Sequence, residues 1–120
     1  MRDFLLVAAG GALGACARFG AGQVLPWSGT GFPFATFMVN IAGSTLMGAL
    51  FALAAGNRAL LLLLGVGVLG GFTTFSAFSL ETLRLLQRDE TTTALAYALG
   101  SCILGVTAAW SGFSLARALA

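Results

Sequence analysis

Four apolar runs, each of about the 20 residues that a bilayer demands of a spanning helix, occupy almost the whole chain: 4–25, 34–55, 59–80 and 94–115. One charge, Arg18, lies inside the first run. The breaks between runs are short and carry turn chemistry: Pro26-Trp27-Ser28-Gly29-Thr30-Gly31, then Gly56-Asn57-Arg58, then Asp89-Glu90-Thr91. Trp27 and Trp110 fall near run ends, where an aromatic belt meets the headgroups. With 58% hydrophobic and 8% charged residues, and a mean hydropathy of +0.96, the chain cannot coat a water-soluble globule, which carries about 25% charged residues. The expected fold is all-α: an integral membrane protein whose 120 residues form one four-helix transmembrane domain. The N-terminus lacks a small-residue cleavage site behind a short apolar core and is read as the first span, not a removable signal.

Charge excludes several functions. The six basic residues are all arginine, and with four acids they are too scattered for a nucleic-acid footprint. There is no histidine, so the commonest general base and metal ligand is missing; no carboxylate pair replaces it, and an enzyme is not expected. Cys16 and Cys102 lie in apolar runs without a CxxC partner and read as small packing residues.

Orientation is unusual. Arg2, Arg58 and Arg117 share one side with the termini and second loop, while Arg18, Arg84 and Arg88 belong to the other, three against three. A positive-inside protein shows a bias. Either another feature fixes the orientation, or both orientations insert and pair as an antiparallel, dual-topology homodimer. Gly10 and Gly14, and Gly67 and Gly71, have the GxxxG spacing of close helix packing, which serves packing within a chain or dimerisation.

Polar residues form stripes inside the apolar runs. Thr36, Asn40 and Ser44 recur every four residues on the second helix, as do Thr93, Tyr97 and Ser101 on the fourth helix, so each set shares a helix face. Asn40 lies roughly 9 Å into its helix at 1.5 Å per residue, where an amide requires partners. One reading of these residues is interhelical glue. The other is a track of uncharged hydrogen-bond donors, suited to an anion that enters without being trapped.

The third run contains the least helix-like stretch, "GGFTTFSAF" (70–78). Gly70-Gly71 and the β-branched pair Thr73-Thr74, followed by Ser76, favour a helix break at membrane depth. Such breaks are tolerated only where buried in protein or lining a cavity, and their freed carbonyls become ion ligands. Phe75 and Phe78, three apart, share a face just beyond; they are either packing residues or a pair whose electropositive ring edges flank an anion.

At this point the chain resembles the Fluc family of bacterial fluoride channels. "GGFTTFSAFSLET" (70–82) is similar to the family's signature, "GGALGACARF" (10–19) to its glycine-rich first helix, and "TFMVNIAGS" (36–44) to its asparagine-bearing second helix. Ala77 departs from the threonine frequent there. The resemblance implies a passive fluoride channel in the bacterial inner membrane that relieves fluoride toxicity. It implies an antiparallel homodimer with two pores, each lined by both subunits, and a third helix broken in its middle. It assigns Phe75 and Phe78 as rings contacting fluoride and Asn40 as a donor to the ion, with Thr74, Ser76, Tyr97 and Ser101 along the pore. Thr36 and Glu81 fall at a mouth, and Arg18 is an interfacial anchor or a vestibule attractor. The carbonyls of Gly70 and Thr73, from both subunits, are implied to hold a structural Na+. The rival from another class is a small dual-topology four-helix multidrug exporter. Proton-coupled export calls for a mid-membrane carboxylate; the first, second and fourth runs have no acid, and Glu81 lies at the end of the third.

Overall fold

The computed structural model describes all residues, Met1–Ala120, and each helix boundary has a local cause. α1, Arg2–Val24, carries Asp3 in its first turn and stops just ahead of Pro26, as expected where a proline disfavours the α conformation of the residue before it. α2, Phe34–Leu53, starts behind the buried Pro33. Gly56, at φ +84°, turns the chain, and the Asn57 side chain then caps the next helix by accepting from the Leu60 N–H at 3.0 Å. α3 covers residues 58–72. α4, Phe75–Gln87, is capped by the Thr74 hydroxyl, which accepts from the Ala77 N–H at 3.1 Å. Asp89 makes the last turn in the left-handed region at φ 60°, which aspartate tolerates better than most residues. α5, Thr91–Leu119, completes the chain.

Four stretches are long and apolar enough to cross a membrane: Arg2–Val24, Phe34–Leu53, Arg58–Gln87 and Thr91–Leu119. The helical residues of the last two outrun the apolar runs 59–80 and 94–115 at both ends, because arginine, glutamine and threonine extend a helix past the hydrocarbon. Only 16 of 120 residues are buried, and none of them is charged or polar. Large apolar side chains such as Phe4, Phe19, Phe51, Val106 and Trp110 point outward, the reverse of a water-soluble fold. This is a multi-pass membrane protein.

α1 packs along α3, and α2 along α5, with α4 lying on α5. Glycines set the closeness of both main contacts. A Cβ at Gly14 would fall 2.0 Å from the Val68 carbonyl oxygen, and one at Gly10 would fall 2.2 Å from that of Leu63. From the other side, a Cβ at Gly71 would meet the Gly11 carbonyl oxygen at 2.5 Å. Both GxxxG pairs therefore interlock within the chain. Gly48 and Gly112 do the same for α2 and α5, facing the carbonyls of Ala109 and Thr45.

The interior of α3 departs from an α-helix. Leu61–Leu69 is π-helical, a form that usually occurs as single-turn bulges at functional sites. In an α-helix, residues five apart point about 140° away from each other at 3.6 residues per turn. The wider turn closed by i→i+5 bonds brings such residues closer to one face, and Leu63 and Val68 both present carbonyls to α1. No sequence signal had pointed to this.

At one end of the molecule, Glu90 accepts from the Thr30 hydroxyl and, at 2.9 Å, from the Gly31 N–H, tying the first loop to the third. Those bonds, with the nearby Arg88, hold the Glu90 carboxyl below its ordinary value. Trp27 donates its indole N–H to the Gly31 carbonyl at 3.0 Å. At the other end, Arg58 pairs with Asp3 at 2.9 Å, joining the second loop to the N-terminus.

Candidate functional site

Between α3 and α4 the backbone is extended at two residues, Thr73 (φ −75°, ψ 156°) and Thr74 (φ −151°, ψ 122°). An extended residue inside an apolar protein has no helical partner for its N–H and C=O, so both must be met elsewhere. For Thr74 both go to Asn40. The Thr74 N–H donates to Asn40 Oδ1 at 2.8 Å, and Asn40 Nδ2 donates to the Thr74 carbonyl at 3.0 Å. A carboxamide carries two N–H donors, so one remains for another acceptor.

The diverted donors leave carbonyls behind. In an unbroken helix the Thr74 N–H would bond the Gly70 carbonyl; here it bonds Asn40. The Ala77 N–H would bond the Thr73 carbonyl; here it bonds the Thr74 hydroxyl. The Gly71 carbonyl is met from α1, by Arg18 Nε at 3.1 Å. Arg18, an anchor or an attractor by sequence, thus braces the end of α3, and makes no ion pair with Glu81. The Gly70 and Thr73 carbonyls are hard, neutral oxygen ligands left over at the link, and Gly70 is exposed on the protomer; this donor set fits a small hard cation such as Na+.

Two cavities flank the link. One, of about 320 Å³, is lined by Asn40, Gly43, Ser44, Thr73, Thr74 and Phe75 together with Met47 and Ala109. The other, of about 240 Å³, is lined by Asn40, Ser44, Phe75, Phe78, Ser101, Cys102, Gly105 and Val106. No charged side chain lines either. The rings of Phe75 and Phe78 stand 5.4 Å apart at 41°. Phe75 is 77% exposed on the protomer, while Phe78 packs on Tyr97 at 5.2 Å. The Ser101 hydroxyl is buried with no hydrogen-bond partner. Buried polar atoms nearly always have one, so this orphan beside the phenylalanines stands out.

Further along, Glu81 gathers both polar stripes. The Thr36 hydroxyl donates to Glu81 Oε1 at 2.7 Å and the Tyr97 hydroxyl to Oε2 at 2.6 Å. Tyr97 is fully buried with Leu85 and Ala94, under Phe32, Phe37 and Phe78. Ser76 stays exposed, its hydroxyl 3.3 Å from that of Thr74. The structure therefore brings Asn40, Thr74, Phe75, Phe78 and Ser101 to one seam and joins Thr36, Glu81 and Tyr97 beside it. Ser44 and Cys102 also line the seam; the i+4 stripe had signalled Ser44, whereas Cys102 gave no signal beyond its place next to Ser101.

Helices of this length, gathered round an uncharged polar seam, define a small multi-pass membrane protein. The chain belongs to the family described as CrcB-like protein, Camphor Resistance (CrcB), which it matches over residues 5–113. A relative from Phenylobacterium zucineum is 52% identical over 123 residues, covering 98% of this chain and 97% of its own. One from Gloeobacter violaceus is 48% identical over 124 residues, covering 99% of each chain. A third, from Thermus thermophilus, is 50% identical over 123 residues, covering 99% of this chain and 98% of its own. Each bears the name fluoride-specific ion channel FluC.

Proposed function

We propose that this protein is a fluoride-selective passive ion channel that lets fluoride leave the bacterial cell across the inner membrane. The observation that carries the reading is the orphan Ser101 hydroxyl beside Phe75, Phe78 and Asn40 in a cavity without charge, joined to the fluoride-channel names of relatives that match over nearly the whole chain. Fluoride is a small, strongly hydrogen-bonding anion. Hydroxyl and amide donors replace its water, and ring edges stabilise it without the fixed positive charge that would trap it. In this reading Asn40 offers its second N–H, Ser101, Thr74 and Ser76 offer hydroxyls, and Thr36, Tyr97 and Glu81 form one mouth. No titratable group suited to a proton relay stands at the seam, so flux is uncoupled from protons. The exporter alternative has no support among these relatives.

The working unit in this proposal is an antiparallel homodimer of dual topology with two pores, and the extended link is the functional break of the third span. The exposed Phe75 and the balanced arginines support it. The Gly70 and Thr73 carbonyls of two copies together supply four oxygens to a structural Na+, which would fasten the breaks at the dimer centre.

Efflux from liposomes holding the purified protein, followed with a fluoride electrode, tests the activity. Rapid fluoride release with little chloride release and no dependence on an imposed pH gradient is expected; flux that tracks the gradient, after correction for HF permeation, overturns the channel. A single cysteine in the 26–31 loop, in a background without Cys16 and Cys102, tests topology: labelling from both sides supports the antiparallel dimer, and one-sided labelling removes it.

A further inference from the structure

A third cavity differs in chemistry from the two at the seam. Trp27, Ser28, Gly29, Arg84, Gln87 and Arg88 line an open-sided cavity of about 270 Å³ where the first loop meets the end of α4. Arg84 lies in the last turn of α4 and Arg88 is the residue that caps its C-terminal end, and both side chains line the cavity. Neither has a carboxylate partner; the chain's ion pair is Arg58 with Asp3. Glu90, the acid close enough for Arg88 to act on, is already bound to Thr30 and Gly31. Asp89 stands in the turn beyond and bonds to neither arginine. Gly29 closes the opposite wall: it is buried, at φ +90°, and a Cβ on it would lie 3.6 Å from Arg88 Nη2. The loop backbone is thus laid against the guanidinium, which fixes the shape of the cavity. Its polar side chains, two guanidinium groups, an amide and a hydroxyl, make no hydrogen bond elsewhere in the chain.

We infer that this cavity binds the phosphodiester of an anionic membrane lipid, of the phosphatidylglycerol class. Guanidinium forks match phosphate oxygens with paired hydrogen bonds, and Ser28 and Gln87 add neutral donors. Two features select a lipid over dissolved phosphate. The cavity sits at the end of a membrane-spanning stretch, Arg58–Gln87, and its wall includes Trp27, a residue type that marks headgroup depth. The site is separate from the seam, and the inference holds whichever ion the seam conducts.

The full-length protein, purified in detergent, is titrated with phosphatidylglycerol, phosphatidylcholine or inorganic phosphate, and bound lipid and thermal unfolding are measured by native mass spectrometry and a melting assay. Phosphatidylglycerol is expected to stay bound and raise Tm, with phosphatidylcholine and phosphate at equal concentration doing neither. Arg84→Gln with Arg88→Gln weakens phosphatidylglycerol binding roughly tenfold or more. Gln87→Glu, which keeps both arginines but sets an acid in the wall, lowers it too and covers the case in which the double variant does not fold. Unchanged binding in either folded variant overturns the site. Equal protection by inorganic phosphate overturns the lipid as its occupant.

Discussion

Asn40 and Thr74 hydrogen-bond to each other twice, at 2.8 and 3.0 Å, through the two ends of one carboxamide and the N–H and C=O of one extended residue. The side chain gives Thr74 what a neighbouring strand would. It is the contact by which α2 allows a non-helical residue to exist between α3 and α4.

Asn40→Asp keeps the acceptor and the volume but turns the Nδ2 donor into a second acceptor facing the Thr74 carbonyl. Leaving a fully buried group unmet costs about 1–3 kcal/mol; at this half-buried pair the cost is smaller but still falls on the link, which shifts. Fluoride efflux from liposomes is expected to fall at least roughly tenfold while the protein stays monodisperse in gel filtration. Wild-type efflux from this variant would show that the pairing is not what holds the pore.

Ser101→Ala separates ligand binding from packing. The hydroxyl has no partner in the protein, so its removal breaks no internal bond, and removing an unmet buried group spares part of a penalty of about 1–3 kcal/mol. The melting temperature should hold or rise and fluoride flux should drop. A loss of stability with flux intact would make Ser101 a packing residue.

Gly14→Ala forces a methyl to within 2.0 Å of the Val68 carbonyl oxygen, where α1 and α3 have no slack. Overpacking typically costs about 1–3 kcal/mol, and here the clash is with backbone, so a marked fall in melting temperature or expression is expected. Gly20→Ala meets nothing within 4 Å and gains helix propensity of roughly 0.5–1 kcal/mol; it should be neutral or stabilising. Equal effects of the two would refute the interlocking of the glycines.

The Glu90 clamp on the first loop has a defined pH dependence. Its carboxyl lies below the ordinary value because Thr30, Gly31 and Arg88 all favour the anion. A lowered folded-state value means the clamp's contribution is fully present above the ordinary carboxylate range and is lost as pH falls through the lowered one. In a Trp110→Phe background, Trp27 fluorescence should be flat at neutral pH and change only in acid; Glu90→Gln should abolish that transition. A transition that survives in Glu90→Gln belongs to another group.

The sequence by itself determined the class of fold. Run length and the scarcity of charge leave no alternative to four spans, because lipid accepts only segments that satisfy their own backbone. It also marked the region of the link, since paired glycines and paired threonines weaken a helix wherever they fall, and it placed Thr36, Asn40 and Ser44 on one face through helical period alone. Tertiary structure decided what those residues touch. Period cannot show that the Asn40 amide closes on the backbone of Thr74, that Thr36 and Tyr97 meet on one carboxylate, or that Arg18 reaches the carbonyl of Gly71, because each partner arrives from a different helix. The π-helical interior of α3 was equally hidden: Gly67 marks the close contact with α1 at Gly10, but nothing in Leu61–Leu69 distinguishes i→i+5 from i→i+4 bonding by sequence.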